Sequence, residues 1–477
     1  MSFLGAQNSI ALGVQGLIHI DTGGGAGGSA DYLLAKSLRF RSSASAYLSR
    51  TPATAGNRST WTWSGWIKRG RLSTGTAQRI FSVDSSPSGG VNGIWFNGTT
   101  DTLNVVFGDD IGPSYFGATT TAVFRDPAAW YHVTVACDTT QATNTNRTRI
   151  YINGVIQATS GYDAGYPSLN ATGLINLNRL TEIGQVASIQ YFDGELAEVN
   201  FVDGYPTGVT SGTWAATNVA TIFGASSTYN QWLPIRYAGT YGTNGFYLPF
   251  TNTASTSTLV ADSSGNANNW TPNNISLTAG STYDSLTDVP TLTSETVANY
   301  AVYTPLATVV TGGGTALATL TNGNLTASSA AANFYDCFSS FNIPTTGKWY
   351  FEWSVTTVGT NHYLGIASRL SWTAASRLYQ NNGDKISNGT SSAYGATYTS
   401  ADVIGCAIDM DAGTLVMYKN NTTQGTLASD LVSAAPATGW CVVAEMRGTA
   451  AHSINFGQQP FTYTAPSGFL PLNTFNI

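Results

Sequence analysis

The chain has 477 residues, of which 42% are hydrophobic, 12% aromatic and 10% charged, with a formal net charge of −6. That length exceeds one ordinary core and sets an expectation of two or three domains. The acidic balance, with no run of Lys or Arg, excludes a surface built to track nucleic-acid phosphates, and no stretch approaches the roughly 18 consecutive apolar residues of a membrane-spanning helix.

Thr, Ser, Asn and Gly stand where charge would otherwise be, a composition that suits strands and turns better than a helical enzyme. Residues 1–36 read as an anchor segment and joint. Ile10, Leu12, Val14, Leu17 and Ile18 supply its apolar positions, and Gly23–Ser29 (GGGAGGS) supplies flexibility. The segment lacks the positive start of a secretory signal and is broken by Gln and Asn, so it is expected to stay on the mature protein. Its glycines match GxGxxG, but neither a parallel strand at βαβ spacing nor a ribose-binding acid follows, which favours a tether.

From Ser37 the strands become regular: Trp61–Lys68 (WTWSGWIK), Ala128–Asp138 (AAWYHVTVACD), Thr148–Val155 (TRIYINGV) and Tyr191–Val202 (YFDGELAEVNFV). Asn153-Gly154 is a strong two-residue hairpin signal. Together the SGWIK strand, the WYHV strand, the IYINGV hairpin and the closing Phe192, Gly194, Glu198, Val199 pattern resemble the concanavalin A-like, laminin-G-type lectin fold over residues 37–204. The resemblance implies a calcium ion held by hard oxygen ligands between sheet-edge loops, with Asp109 and Asp110 as candidates. It also implies a sugar-contacting surface. Exposed rings stack on sugars, which makes Tyr115, Phe116, Tyr162 and Tyr166 the candidates, whereas Trp61, Trp63 and Trp66 read as core.

Residues 205–316 place Trp214, Trp232, Tyr241 and Trp270 among Gly, Asn and Thr, and include DSSGNANNWTPNNIS at 262–276. This is too aromatic for disorder and reads as a bridging region of short strands packed on one or both neighbours. Strands return at 317–477. Gly347–Val355 (GKWYFEWSV), Tyr363–Ala367 (YLGIA), Asp402–Asn421 (DVIGCAIDMDAGTLVMYKNN), Gly439–Glu445 (GWCVVAE) and Ser453–Phe461 (SINFGQQPF) resemble the SPRY domain. In the third of these, Ile404, Cys406 and Ile408 alternate with Gly405, Ala407 and Asp409, and Asp411–Gly413 supplies the turn. Asn420-Asn421 departs from the Asn-Gly usual in that family. The expected fold class is therefore all-β, with two concanavalin A-like (jelly-roll) antiparallel β-sandwiches joined by an irregular, β-rich bridge.

Chemistry-bearing residues are sparse. Asp193, Glu195 and Glu198 form D-x-E-x-x-E, whereas laminarinase-type glycoside hydrolases of this fold carry E-x-D-x-x-E with nucleophile and acid on one face. Without a bulge, Glu198 points away from the other two, so no catalytic residue is assigned. His19, His132, His362 and His452 lack ligand spacing and read as structural. Cys137, Cys337, Cys406 and Cys441 lack CxxC spacing and read as buried free thiols, fitting assembly in a reducing cytosol.

The order of segments also resembles a group of bacteriophage virion proteins, notably of marine phages, described as fibres, appendages or adhesins. That resemblance implies a non-enzymatic virion protein made in the host cytoplasm. It would be anchored to other virion proteins by its N-terminal segment, would bind a host-surface glycan and would assemble as a homotrimer. A capsid-decorating or head-fibre protein without a receptor role, a cellular SPRY scaffold binding a peptide, and a glycan hydrolase are the alternatives.

Overall fold

The computed structural model describes residues 32–83, 92–108, 115–306, 316–330 and 333–477. The anchor positions Ile10, Leu12, Val14, Leu17 and Ile18 and the calcium candidates Asp109 and Asp110 lie outside the described residues. Among those described, the only α-helix is Thr256–Leu259, and the architecture is all-β.

Alternation along Thr60–Arg69 organises the first sandwich. Trp61, Trp63 and Ile67 point into the core between two sheets, while Trp66 packs on the outer face against Leu34, Trp130, Ala197 and Val289. Both faces are covered, so the whole strand is buried. It pairs antiparallel with Trp130–Asp138 on one side and Gly194–Asp203 on the other. This eight-stranded sheet continues to an edge at Val155–Ile156 and, in the other direction, to Ser37–Phe40 and Ser285–Leu286. The opposing eight-stranded sheet runs from Thr159–Gly161 through Tyr115–Val123 and Gln78–Val83 to Tyr47–Arg50 and Thr271–Asn273. At the hairpin tip, Asn153 and Gly154 adopt φ of +47° and +76°, and Ile152 faces Val155 across a two-residue turn of the I′ kind.

The bridge completes this sandwich. Its strands Phe246–Leu248, Thr271–Asn273 and Ser285–Leu286 hydrogen-bond into the two sheets. Trp214, Phe223, Tyr237, Tyr241 and Tyr247 cover Ala136, Tyr151 and Val202 on the outer face. The DSSGNANN segment is a polar clamp. Asp262 accepts from the backbone N–H groups of Tyr247, Ser264 and Asn268, at 2.9, 2.8 and 2.8 Å, and the Asn266 and Asn268 amides donate to the Gly245 carbonyl.

The second sandwich has two seven-stranded sheets. Val403–Asp409 lies inside one of them, between Lys348–Thr357 and Thr414–Lys419. Ile404, Cys406, Ile408, Leu415 and Met417 fill the core, and a Cβ at Gly405 would come within 2.6 Å of the Tyr350 hydroxyl lying across it. Asn420 and Asn421 both take left-handed backbone, φ +47° and +65°, with Lys419 facing Thr422. Two Asn residues thus make the turn that Asn-Gly makes elsewhere, since Asn tolerates this region better than other non-glycine residues.

The sandwiches share buried surface. Leu286, Tyr300, Ala301, Val302 and Tyr303 of the bridge sit in the second core. Asp193 of the first sandwich accepts from the backbone N–H groups of Asn322 and Gly323, at 3.0 and 2.6 Å, and from Ser42 Oγ at 2.5 Å. All four cysteines are free and buried, and burial pushes each thiol pKa up.

Candidate functional site

The Gly194–Asp203 strand holds register with Thr60–Arg69 from Gly194 to Ala197, opposite Arg69 to Trp66, and resumes with Asn200 opposite Ser64. One extra residue is therefore accommodated, a β-bulge. Glu198 carries the strain of it, with φ +53°. Leu196 and Val199 both face the core, so alternation is reset and Glu198 emerges on the outer face, the side that Glu195 also occupies.

There Glu198 is 4% exposed. The Tyr32 hydroxyl lies 2.9 and 3.0 Å from its two carboxylate oxygens, the Tyr247 hydroxyl donates to Oε2 at 2.9 Å, and the two hydroxyls are 2.7 Å apart. Burial pushes the Glu198 carboxyl up to about 7, against the opposing pull of both hydroxyls and of Arg236. Burial and the neighbouring carboxylate raise the Tyr32 and Tyr247 phenols. Beside this triad opens a cavity of about 300 Å³, lined also by Lys36, Arg236, Pro249, Thr251 and Ser263. The Arg236 guanidinium lies 5.1 Å from the centroid of the Tyr247 ring, and burial lowers the Lys36 pKa. A hydroxyl-rich molecule of one-ring size would find donors, acceptors and positive charge here.

The other two carboxylates of the D-x-E-x-x-E pattern are engaged elsewhere. Asp193 holds the second sandwich. Glu195 is buried beside Lys68, Asp288 and Arg39, and burial together with the Asp288 charge raises its pKa. Lys68 Nζ donates to Asp288 at 2.6 Å, to Asn299 Oδ1 at 2.8 Å and to the Tyr300 carbonyl at 2.8 Å, and the Trp130 indole donates to Asp288 at 2.9 Å. Of the three acids, Glu198 alone lines the cavity, whereas glycoside hydrolysis uses two carboxyl groups flanking one bond.

The fold also makes a pairing that sequence spacing hides. Ser64 Oγ is 2.9 Å from His132 Nε2, the outline of a nucleophile and its base. The Trp232 indole N–H, however, donates to His132 Nδ1 at 2.9 Å, and burial drives the imidazole pKa down to about 3. The proton of the neutral ring is therefore on Nε2 and donates to Ser64, which is the wrong tautomer for taking the hydroxyl proton. In the second sandwich, His362 Nε2 meets His452 Nδ1 at 2.9 Å, His452 Nε2 meets the Tyr303 hydroxyl at 2.9 Å, and the Trp353 indole donates to that hydroxyl. All four side chains are buried.

The aromatic candidates belong to the sheet opposite Glu198 and to its edge loop. Phe116 stacks on the core residue Phe107, with centroids 6.3 Å apart, and the Tyr166 hydroxyl donates to the Thr159 carbonyl. Strand alternation puts Tyr115 on the face opposite Phe116. Tyr162 meets Trp95 edge-on at 5.8 Å, and the Arg79 guanidinium covers that indole at 3.9 Å. None of the four lines the cavity. Among the described residues no group of three or more His, Cys, Asp or Glu converges to hold a metal ion.

Comparison with known proteins places both sandwiches. A family model described as the concanavalin A-like lectin/glucanases superfamily matches residues 42–208, a span that includes Glu198. The SPRY domain model matches residues 340–459. Ran-binding protein 10 of Danio rerio is 32% identical over 129 residues, covering 24% of this chain and 20% of that protein. Ran-binding protein 9 of Xenopus tropicalis is 31% identical over 137 residues, covering 26% and 24%. The chain thus spans about a fifth to a quarter of the length of the curated relatives it matches. The solved SPRY domain of human HERC1 aligns with 29% of this chain and 91% of its own, at 16% identity and a TM-score of 0.25. The chain carries a concanavalin A-like lectin domain and a SPRY domain.

Proposed function

We propose that the protein is a non-enzymatic attachment protein, displayed on a virion, whose concanavalin A-like sandwich binds a cell-surface glycan. The observation that carries this reading is the Glu198 cavity, built by a strand bulge within the span matched by the lectin/glucanase family model. A binding role, rather than hydrolysis, is supported by the engagement of Asp193 and Glu195 in packing contacts away from the cavity. The virion setting rests on the order of segments in the sequence. An apolar N-terminal stretch and a glycine joint precede a lectin-like sandwich, an Asn- and Thr-rich bridge and a SPRY sandwich. A homotrimer is the assembly we expect, because a surface poor in charge costs little to desolvate.

A broad glycan array probed with the purified full chain tests the central step. Bound glycans whose signal falls in a Tyr247→Ala variant support it, and an empty array overturns it. Gold-labelled antibody on intact particles tests display, and labelling of no virion structure would remove that part. A second reading, in which the SPRY domain docks a protein segment, is favoured by the 31–32% identity to Ran-binding proteins, whose names describe a protein ligand. Specific capture of a protein that the first sandwich does not retain would support it.

A further inference from the structure

The charge around the Glu198 cavity points to a narrower ligand class. In the first sandwich the buried cations, apart from Arg79 over the Trp95 ring, have carboxylate or backbone carbonyl partners. Arg39 and Arg41 share Asp284, Lys68 pairs with Asp288 and Arg69 with Asp101, all within 3.2 Å. Arg147 and Arg149 donate to backbone carbonyls. Lys36, half-buried, and Arg236, exposed, differ. Both line the cavity, and among the described residues neither makes an ion pair or a hydrogen bond. Arg236 rests its guanidinium over the Tyr247 ring, which leaves the donor fork available to a ligand.

The third charge-bearing group is Glu198. The groups acting on it are the Tyr32, Tyr241 and Tyr247 phenols and the Arg236 guanidinium, with Lys36 also lining the cavity and Asp262 close enough to Tyr241 to raise its phenol. When Glu198 is protonated the cavity holds two positive charges and no negative one. When it is ionised, a carboxylate shares the space with any anion that enters. At about 300 Å³ the cavity is at the small end of the roughly 300–1,000 Å³ range of ligand pockets, the size for one ring rather than an oligosaccharide.

We propose that this cavity binds a single anionic sugar residue, with Arg236 and Lys36 holding its acidic group and Glu198 admitting the anion only while it carries a proton. The proposal rests on the glycan-attachment reading and names the chemistry of its ligand. Affinity for an acidic sugar falls as pH rises through 7, whereas affinity for a neutral sugar does not follow that titration. With Glu198 titrating near 7, full exclusion by the ionised form gives a loss of about tenfold between pH 6 and pH 8.

The test is titration of the full chain by calorimetry or ligand-observed NMR at pH 6, 7 and 8. The probes are D-glucuronate, N-acetylneuraminate and glucose 6-sulfate, with glucose and methyl glucuronate as neutral controls. An acidic probe should bind at least tenfold more tightly than its neutral control at pH 6 and weaken about tenfold by pH 8. Glu198→Gln, which imitates the protonated carboxyl, should keep the pH 6 affinity at every pH. Arg236→Ala should weaken the acidic probe about tenfold at pH 6 and leave the fold intact, because the side chain is exposed. Neutral sugars binding as tightly as acidic ones would overturn the anionic assignment and leave the attachment reading standing. A pH profile that survives in Glu198→Gln would overturn the role of Glu198. Binding of no sugar of either kind would overturn both readings.

Discussion

The two sandwiches share an architecture and both bury charged groups, Asp336, Glu352, Arg377 and Glu445 among those in the second, but they differ in where buried polarity is concentrated. The first concentrates charge on an outer face that the bridge covers, with Arg39, Arg41, Lys68, Glu195, Glu198 and Asp288 under or beside bridge residues. The second threads a neutral chain, His362–His452–Tyr303 with Trp353, through its interior. A covering layer made of turns brings carbonyl and side-chain partners to each charge, as Asn299 and Tyr300 do for Lys68. A core closed by strands offers few such groups, and imidazoles there stay neutral because burial penalises their charged form.

The largest expected effect would break the first half of that contrast. Asp288→Ala strands the Lys68 ammonium and should cost about 3–5 kcal/mol in urea unfolding, the range for a buried pair that loses one partner. Asp193→Ala removes the acceptor of the Asn322 and Gly323 N–H groups at the contact between sandwiches. At about 1–3 kcal/mol per buried donor left unpaired, it should also divide one calorimetric transition into two.

Glu198→Gln should act in the other direction. Burial pushes the folded carboxyl up to about 7 from the ordinary 4.5 of a free glutamate, so the folded state holds the proton more tightly and loses stability as pH rises from 4.5 to 7. The variant should therefore be more stable than the native protein by up to about 3 kcal/mol at pH 8 and show no such gain at pH 4. His452 has the reverse sign, because its folded pKa is depressed by burial and by His362. Its neutral contact is worth most above pH 6.5 and loses value on acidification. The penalty of His452→Gln in urea unfolding should thus shrink as the pH falls below 6.5. The smallest effect is expected for Trp232→Phe. Loss of one hydrogen bond should cost about 1 kcal/mol, and freeing Nδ1 of His132 should shift its imidazole ¹⁵N resonances.

Much of the frame was legible in residue patterns because period-two alternation and turn chemistry are local. Asn153-Gly154 and Asp411–Gly413 fall at hairpin tips, and Trp61, Trp63, Ile404 and Cys406 are core. Trp66 is buried as expected, but on the outer face, under residues that arrive from positions 34 and 289. The bridge was legible as packed aromatic structure, while its contribution of strands to the first sandwich depends on pairings with residues more than 40 positions away.

The site was the least legible part, for the same reason. The sequence alone determined that Asp193, Glu195 and Glu198 lie on one strand and that a bulge would be needed to turn Glu198 outward. Only the tertiary structure decided that the bulge exists. A positive φ at Glu198 persists because Tyr32 and Tyr247, separated by 215 residues, meet over its carboxylate. The same is true of His132, whose tautomer is set by an indole 100 residues away. Alternation and turns are written in neighbouring residues, whereas protonation and access depend on what the folded chain brings on top of them.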